Sequence, residues 1–388
     1  MRMKAAVMEA TGRPLQVKEV DLQAPKAGEV LIKIEATSIC HSDFNALHDP
    51  TTPVPAILGH EGAGIVKEVG PHVTKVKVGD RVALNWVPYC GVCEYCISGE
   101  FHMCETAFEP MFNGTLLDGT SRLVMDGKPM YHYSLLSTFA EYTVVPELSC
   151  VKLPPDMPMA QASLIGCGVA TGYGAAVHAA QVKPGTSAAV FGIGGVGINA
   201  VQGARIAGAR QIIACDVKEQ NLEIARQFGA THTINVGKED AGEALRALTG
   251  GFGVHYAIDC SGNTKATESA WMGVRKKGVV VVVGAFGSSM MIRLPAGGFH
   301  RMGKTLKGSF YGDVQPFRDF VTISNLYLES KYKLDELILN RVQLEDINAV
   351  FDSFHQHSCV NVGRSLIEFS SQVPLPSFGG EKAGRSYV

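Results

Sequence analysis

Residues 188–200 read Ala-Ala-Val-Phe-Gly-Ile-Gly-Gly-Val-Gly-Ile-Asn-Ala: an apolar, strand-sized run ending at Phe191 passes directly into Gly192-Ile193-Gly194-Gly195-Val196-Gly197. Alone, G-x-G-x-x-G is a weak signal, because glycine-rich turns are common. Here a strand precedes it, and 196–207 reads as the helix it opens. A helix starting at such a turn directs its free N–H groups and the positive end of its dipole at whatever lies over the glycines, which suits a pyrophosphate. Gly192, Gly194 and Gly197 allow the tight turn, the close backbone approach and the packing of helix on sheet, with Gly195 and Val196 completing the turn. Asp216 lies 19 residues beyond Gly197, at the end of the next apolar run. A carboxylate there accepts ribose hydroxyls and repels a 2′-phosphate, so the expected dinucleotide is NAD.

The same grammar continues downstream. Apolar runs at 211–215, 255–259 and 279–283 alternate with a helix-like stretch at 219–228, and repeated β-α-β units predict a doubly wound parallel sheet. Upstream of about residue 160 the pattern differs, with short strand-like runs at 4–8, 30–39, 64–69, 81–84 and 139–145. Beyond about residue 304 a strand-like piece, a helix over 314–329 and a strand over 364–369 are expected to return to this mainly β part. The expected division is therefore α/β: 1–168 with 310–369, a dinucleotide domain over 169–309, and a Ser-, Gly- and Pro-rich tail over 370–388. Residues 105–137 carry Asn113-Gly114, Asp118-Gly119 and Asp126-Gly127, and are too long for a structureless loop. A folded excursion is expected there.

Composition narrows the function classes. With 46% hydrophobic and 19% charged residues the chain is not disordered, and a net charge of −2 offers nucleic acid no electrostatic footprint. No apolar run approaches the roughly 20 residues of a membrane span, and the N-terminus lacks the apolar core of an export signal. A cytoplasmic protein with neither membrane nor nucleic-acid partner is expected. Ten cysteines in that setting read as thiolates rather than disulfides.

Cys90, Cys93, Cys96 and Cys104 fall within fifteen residues as C-x-x-C-x-x-C-x7-C. Four thiolates at about 2.3 Å complete a zinc tetrahedron and leave no place for substrate, so this lobe (90–104) is expected to be structural. A second set is scattered: Cys40, His60 and Cys167. Two thiolates and one imidazole leave the fourth position of a zinc ion open, as catalytic sites do, although spacing alone does not bring the three together.

These motifs, with Ser42-Asp43 after Cys40-His41, Gly59-His60-Glu61-Gly62, Gly166-Cys167-Gly168, Thr171-Gly172 and Arg364, resemble the zinc-dependent alcohol dehydrogenases of the medium-chain dehydrogenase/reductase family over residues 4–369. The resemblance implies a GroES-like catalytic domain beside the Rossmann domain, and two Zn²⁺ per chain. It implies that Cys40, His60 and Cys167 hold the catalytic zinc with Glu61 as a transient ligand, that Asp43 holds the far ring nitrogen of His60, and that Ser42 receives the alcohol's proton. It further implies that His41, Thr171 and Arg364 face the cofactor and that Trp86 walls the substrate pocket. The excursion, with Asp118-Gly119-Thr120-Ser121-Arg122, is similar to that of the dimeric long-loop branch, which implies a homodimer joined through the coenzyme domains.

The sequence departs from that pattern at three positions. Asn45 stands where several members end the proton relay with histidine, and an asparagine takes up no proton near neutrality, so exit through water, His41 or His48 is expected. His41 stands where an arginine often meets the pyrophosphate, and Phe108 where thiol-dependent formaldehyde dehydrogenases carry an arginine for the glutathione carboxylate. The expected activity is thus reversible, NAD-linked oxidation of primary, fairly apolar alcohols to aldehydes. The alternatives are a thiol-adduct formaldehyde dehydrogenase and, in another class, a non-catalytic dinucleotide-binding protein.

Overall fold

A computed structural model of the chain describes residues 1–287, 289–355 and 362–369; the expected tail over 370–388 lies outside the described residues. Ser187–Phe191 is a strand buried along its whole length, which explains why it reads as an unbroken apolar run rather than an alternating one. It lies at the centre of a parallel sheet whose order is His232–Asn235, Gln211–Asp216, Ser187–Phe191, Val254–Asp259, Val274–Val282 and Thr305–Gly308. This is the doubly wound order, and its crevice opens at the carboxyl end of the central strand, where the glycine motif follows. Gly192 turns there with φ +79°, and a Cβ would stand 2.7 Å from Ser261 Cα. The helix runs Gly197–Ile206, one residue shorter at each end than expected, because Val196 and Ala207 are its caps.

The mainly β part is built on Glu29–Ile39, which pairs with Glu61–Val69, Tyr142–Pro146 and Arg364–Glu368. The return of the C-terminal segment is observed: Ser365 lies opposite Ile39, so Arg364 comes beside Cys40. A second sheet joins Arg2–Met8 to Gln16–Leu22 and to short strands of the excursion. That excursion is folded, with a helix over Glu105–Asn113 and strands over Leu123–Met125, Lys128–Pro129 and Tyr131–His132. Arg122, wholly buried, anchors it: Nε donates to Glu29 Oε2 at 2.8 Å and Nη2 to Asp118 Oδ2 at 2.6 Å.

Several expected bounds shift. The run at 139–145 becomes Tyr142–Pro146, the 64–69 strand starts at Glu61, and the 279–283 strand extends back to Val274. Gln16–Leu22 carries no apolar signal because it is half exposed, and it is a strand by pairing with Arg2–Met8. Residues 159–179 form one helical run across the expected 168/169 junction, with π-helical turns over Ile165–Val169 and Ala175–Ala179. Among the described residues no helix is long and apolar enough to cross a membrane.

Candidate active site and metal centres

Cys40 directly follows the strand Glu29–Ile39 and is the N-cap of the helix His41–His48; His60 directly precedes the strand Glu61–Val69; Cys167 sits in the π-helical turn Ile165–Val169. Three separate elements thus converge, and the ligating atoms of Cys40, His60, Glu61 and Cys167 all lie within 4.8 Å of one another. The Cys40 thiol lies well below the ordinary range, chiefly because of its hydrogen bond with Cys167, with Arg364 and His60 adding to this against the effect of burial. The same contact and burial push Cys167 up. His60 Nδ1 bonds Asp43 Oδ1 at 2.8 Å, while Asp43 also accepts from the Cys40 N–H at 2.9 Å and the Gly59 N–H at 3.2 Å. Burial disfavours a charged His60, yet Asp43 and Cys40 hold its imidazole well above the usual range. Two soft sulfurs and an oriented imidazole fit zinc.

Glu61 is wholly buried and fully engaged. Its Oε2 accepts from Ser38 Oγ and from Arg364 Nε (2.9 Å), and its Oε1 from Arg364 Nη2 and the Gly168 N–H, both at 3.0 Å. A carboxylate has about four lone-pair sites, so ligation by Glu61 requires release of one of these donors. Arg364 reaches further: its Nη2 lies 3.3 Å from Cys40 Sγ, and a side chain at Gly195 would run into its guanidinium.

The four-cysteine lobe closes as its spacing predicts, with all four sulfurs within 4.8 Å of one another. Cys90 Sγ and Cys96 Sγ stand 3.9 Å apart. A tetrahedron with bonds of about 2.3 Å has edges of about 3.8 Å, so this spacing fits zinc. Burial opposes ionisation of Cys90, but bonds from the Thr106 side chain and the Val92 and Cys93 N–H groups bring its thiol down to about 6.

On the coenzyme side, Asp216 Oδ2 accepts the Ile193 N–H at 2.7 Å and Oδ1 the Lys218 N–H at 2.9 Å, so the carboxylate is set beside the glycine turn. Side chains at Gly195 or Gly197 would fill the space occupied by Arg364 or by the Gly192 carbonyl. Thr171 is buried in the short helix Ala170–Gly174, whose Gly172 packs on the Val196 carbonyl. A small pocket where the glycine turn meets the C-terminal return is lined in part by Gly168, Gly195, Asn199, Leu337 and Arg364. His41 packs between Phe44 and Phe354, 5.4 Å from each ring. Burial lowers its imidazole, with Cys40 opposing and Arg364 adding, so it brings no fixed positive charge to the cleft.

Ser42 Oγ stands 3.6 Å from Cys40 Sγ. Asn45 is exposed on the same helix, and His48 bonds through Nδ1 to the Phe44 carbonyl at 2.9 Å. Trp86 meets His60 edge-on at 6.3 Å and packs on Tyr311 (4.5 Å) and Phe310 (5.3 Å). Phe108 continues the row, 5.5 Å from Phe310 and 5.9 Å from the exposed Phe112. Tyr133, Phe310 and Tyr311 went unnoticed in the sequence. Tyr133 crosses from the excursion to lie 5.7 Å from His60, with its hydroxyl donating to the Ser42 carbonyl at 3.3 Å. No short-range pattern marks such a residue, because only the fold of the excursion brings it there.

Comparison with known proteins agrees with this geometry. A family model described as "Alcohol dehydrogenase GroES-like domain" matches residues 26–155, and one described as "Zinc-binding dehydrogenase" matches 195–326. An alcohol dehydrogenase class-3 of Cereibacter sphaeroides is 39% identical over 95% of this chain and all of the relative. An S-(hydroxymethyl)glutathione dehydrogenase of Paracoccus denitrificans is 40% identical over 92% of this chain and 97% of the relative. Among solved structures, the benzyl alcohol dehydrogenase of Acinetobacter calcoaceticus superposes with a TM-score of 0.89 at 31% identity, covering 95% of this chain and all of the other. An alcohol dehydrogenase zinc-binding domain protein from Burkholderia ambifaria gives 0.90 at 34% identity, over 97% of this chain and all of the other. With both metal sites assembled, the coenzyme sheet in place and relatives aligned end to end, this chain belongs to the zinc-containing alcohol dehydrogenases of the medium-chain dehydrogenase/reductase family, NAD-dependent oxidoreductases with two zinc sites.

Proposed function

We propose that the enzyme interconverts primary, apolar alcohols and their aldehydes. The observation that carries this reading is the aromatic row from Phe112 through Phe108, Phe310 and Trp86 to His60, closed on the other side by Tyr133. Such a wall rewards a ring or chain that leaves water, and the Trp86 indole narrows the inner end toward an unbranched carbinol. Phe108 offers no partner to a carboxylate, which disfavours a glutathione adduct. The name of the Paracoccus relative keeps that adduct as the second reading.

When bound, zinc supplies a Lewis acid for the alcohol oxygen and NAD the hydride acceptor. In this reading Cys40, His60 and Cys167 hold the catalytic ion, and the four cysteines of the 90–104 lobe hold the structural one. Asp43 keeps the His60 ring in one tautomer and direction. Ser42 Oγ takes the proton of the alcohol and passes it toward the exposed end of its helix, where Asn45 makes no further acceptor and water completes the route. Asp216 accepts the ribose hydroxyls. Val196 and its neighbours offer N–H groups to the pyrophosphate, and Arg364 adds charge. We further infer a cytoplasmic homodimer. Thiolate ligands suit a reducing compartment, and exposed Met290, Met291, Phe299 and Met302 next to the outer coenzyme strand offer an apolar face to a second copy.

The test is kcat/KM with NAD for benzyl alcohol, hexanol and a secondary alcohol, against formaldehyde plus glutathione or mycothiol. Preference for the simple primary alcohols supports the reading. A preference for the thiol adduct replaces it with the second, and no turnover of any substrate by zinc-replete protein leaves only a dinucleotide-binding role.

A further inference from the structure

The helix behind the glycine turn carries two buried polar side chains that dinucleotide binding does not itself require. Asn199 and Gln202 are 1% and 0% exposed, and they face Tyr332, itself 1% exposed, on the segment between the helix Pro316–Leu328 and the strand Ile338–Val342. That segment belongs to the C-terminal return, which joins the catalytic sheet, so the contact crosses between the two halves of the protein. Every polar atom in it is matched. Tyr332 Oη donates to Asn199 Oδ1 at 2.9 Å, and Asn199 Nδ2 donates to the Gly195 carbonyl at 2.8 Å. Gln202 Nε2 donates to Asn199 Oδ1 at 3.2 Å and to the Lys333 carbonyl at 3.0 Å, while its Oε1 accepts the Lys333 N–H at 2.8 Å.

The end of this chain is the informative part. A peptide unit is planar and trans, so its C=O and N–H point in opposite directions. Holding the Gly195 carbonyl toward Asn199 turns the N–H of the same peptide, that of Val196, the other way. Val196 is the N-cap of the helix Gly197–Ile206, at the end where backbone N–H groups have no partner within the helix and can meet an anion. A glycine peptide left to itself flips easily, since Gly tolerates both signs of φ. We propose that Tyr332 and Asn199 are positioning residues for the coenzyme: a strut from the catalytic half that locks the Gly195–Val196 peptide with its N–H presented to the pyrophosphate. The inference rests on NAD binding at the glycine turn.

Tyr332→Phe removes one hydroxyl and keeps the ring, which packs on Tyr173 at 6.2 Å. Asn199→Ala removes the amide that touches Gly195. Calorimetric titration of zinc-replete, full-length protein with NAD, for the wild type, both single variants and the double, reads the strut directly, and the wild-type titration separately tests NAD binding at all. Loss of one hydrogen bond that acts only through peptide orientation corresponds to roughly a three- to tenfold rise in Kd. Both singles are expected to show it, with KM for NAD rising in step and kcat within about twofold of wild type. The double variant is expected to match Asn199→Ala, because Tyr332 acts through Asn199. Two results overturn the proposal. One is an unchanged Kd in both singles, even with a lowered melting temperature, which makes the network a packing feature. The other is a double variant in which the two effects multiply, which means that Tyr332 acts by another route.

Discussion

Replacing Asp43 with asparagine isolates the part of the catalytic centre that touches neither metal nor substrate. The carboxylate is wholly buried and accepts three hydrogen bonds, from the His60 ring at 2.8 Å, the Cys40 N–H at 2.9 Å and the Gly59 N–H at 3.2 Å. Its two oxygens serve opposite sides, Oδ1 facing His60 and Gly59 and Oδ2 facing Cys40. An amide of the same shape keeps one oxygen and presents an NH₂ to a donor on the other side, whichever way it flips. One charge-assisted bond is lost and two donors face each other in a dry site, a cost of about 1–3 kcal/mol. Two of the three donors belong to the ligand-bearing residues His60 and Cys40, so the loss is expected as roughly ten- to hundredfold weaker zinc binding at the catalytic site. Dialysis against graded chelator, followed by metal analysis, reads this, and the four-cysteine lobe serves as an internal reference because it lacks Asp43. The first zinc should leave Asp43→Asn at about ten- to hundredfold lower chelator activity than in wild type, with the second unaffected. Release curves that coincide within about twofold would refute the account of Asp43 as the support of His60 and Cys40.

Cys104→Ser should cost one zinc and several degrees of melting temperature, whereas Cys167→Ala should cost the other zinc and nearly all activity while circular dichroism stays native; metal analysis and thermal melts separate the two. Asp216→Gly should raise KM for NAD and narrow the preference over NADP about tenfold or more, since one carboxylate both binds ribose and repels phosphate, as steady-state kinetics with each cofactor will show. Ser42→Ala should lower kcat for alcohol oxidation by about 10²-fold or more at unchanged zinc content, and Asn45→His should raise the rate mainly on the acid side of the pH profile. His132 is buried, and its imidazole is pushed down to about 3, chiefly by burial with Arg122 adding and Asp118 opposing. The unfolded chain, titrating near about 6.5, therefore binds an extra proton between these values, and stability falls on acidification by up to about 1.4 kcal/mol per pH unit. Urea midpoints of His132→Gln should show a flatter acid limb than wild type.

What the chain carries locally is legible in its sequence. The glycine turn between an apolar run and a helix, Asp216 at the next strand end, and four cysteines within one short lobe each depend on neighbours in sequence, so spacing alone expresses their geometry. Cys40, His60 and Cys167 are separated by strands whose pairing register decides where they meet, and they could be grouped beforehand only by family resemblance. The register of Arg364–Glu368 against Glu29–Ile39 belongs entirely to the tertiary structure. It brings Arg364 from the far end of the chain onto Glu61 and Cys40, with its guanidinium also against Gly195 of the glycine turn. The aromatic row and Tyr133 have the same origin, because side chains on separate elements become neighbours only when sheets pack and the excursion folds over them. Asn199 and Tyr332 show the limit most plainly. In sequence they are one polar residue in a helix and one aromatic residue in a turn, and only long-range packing, which excludes water from both, leaves each with the other as its partner.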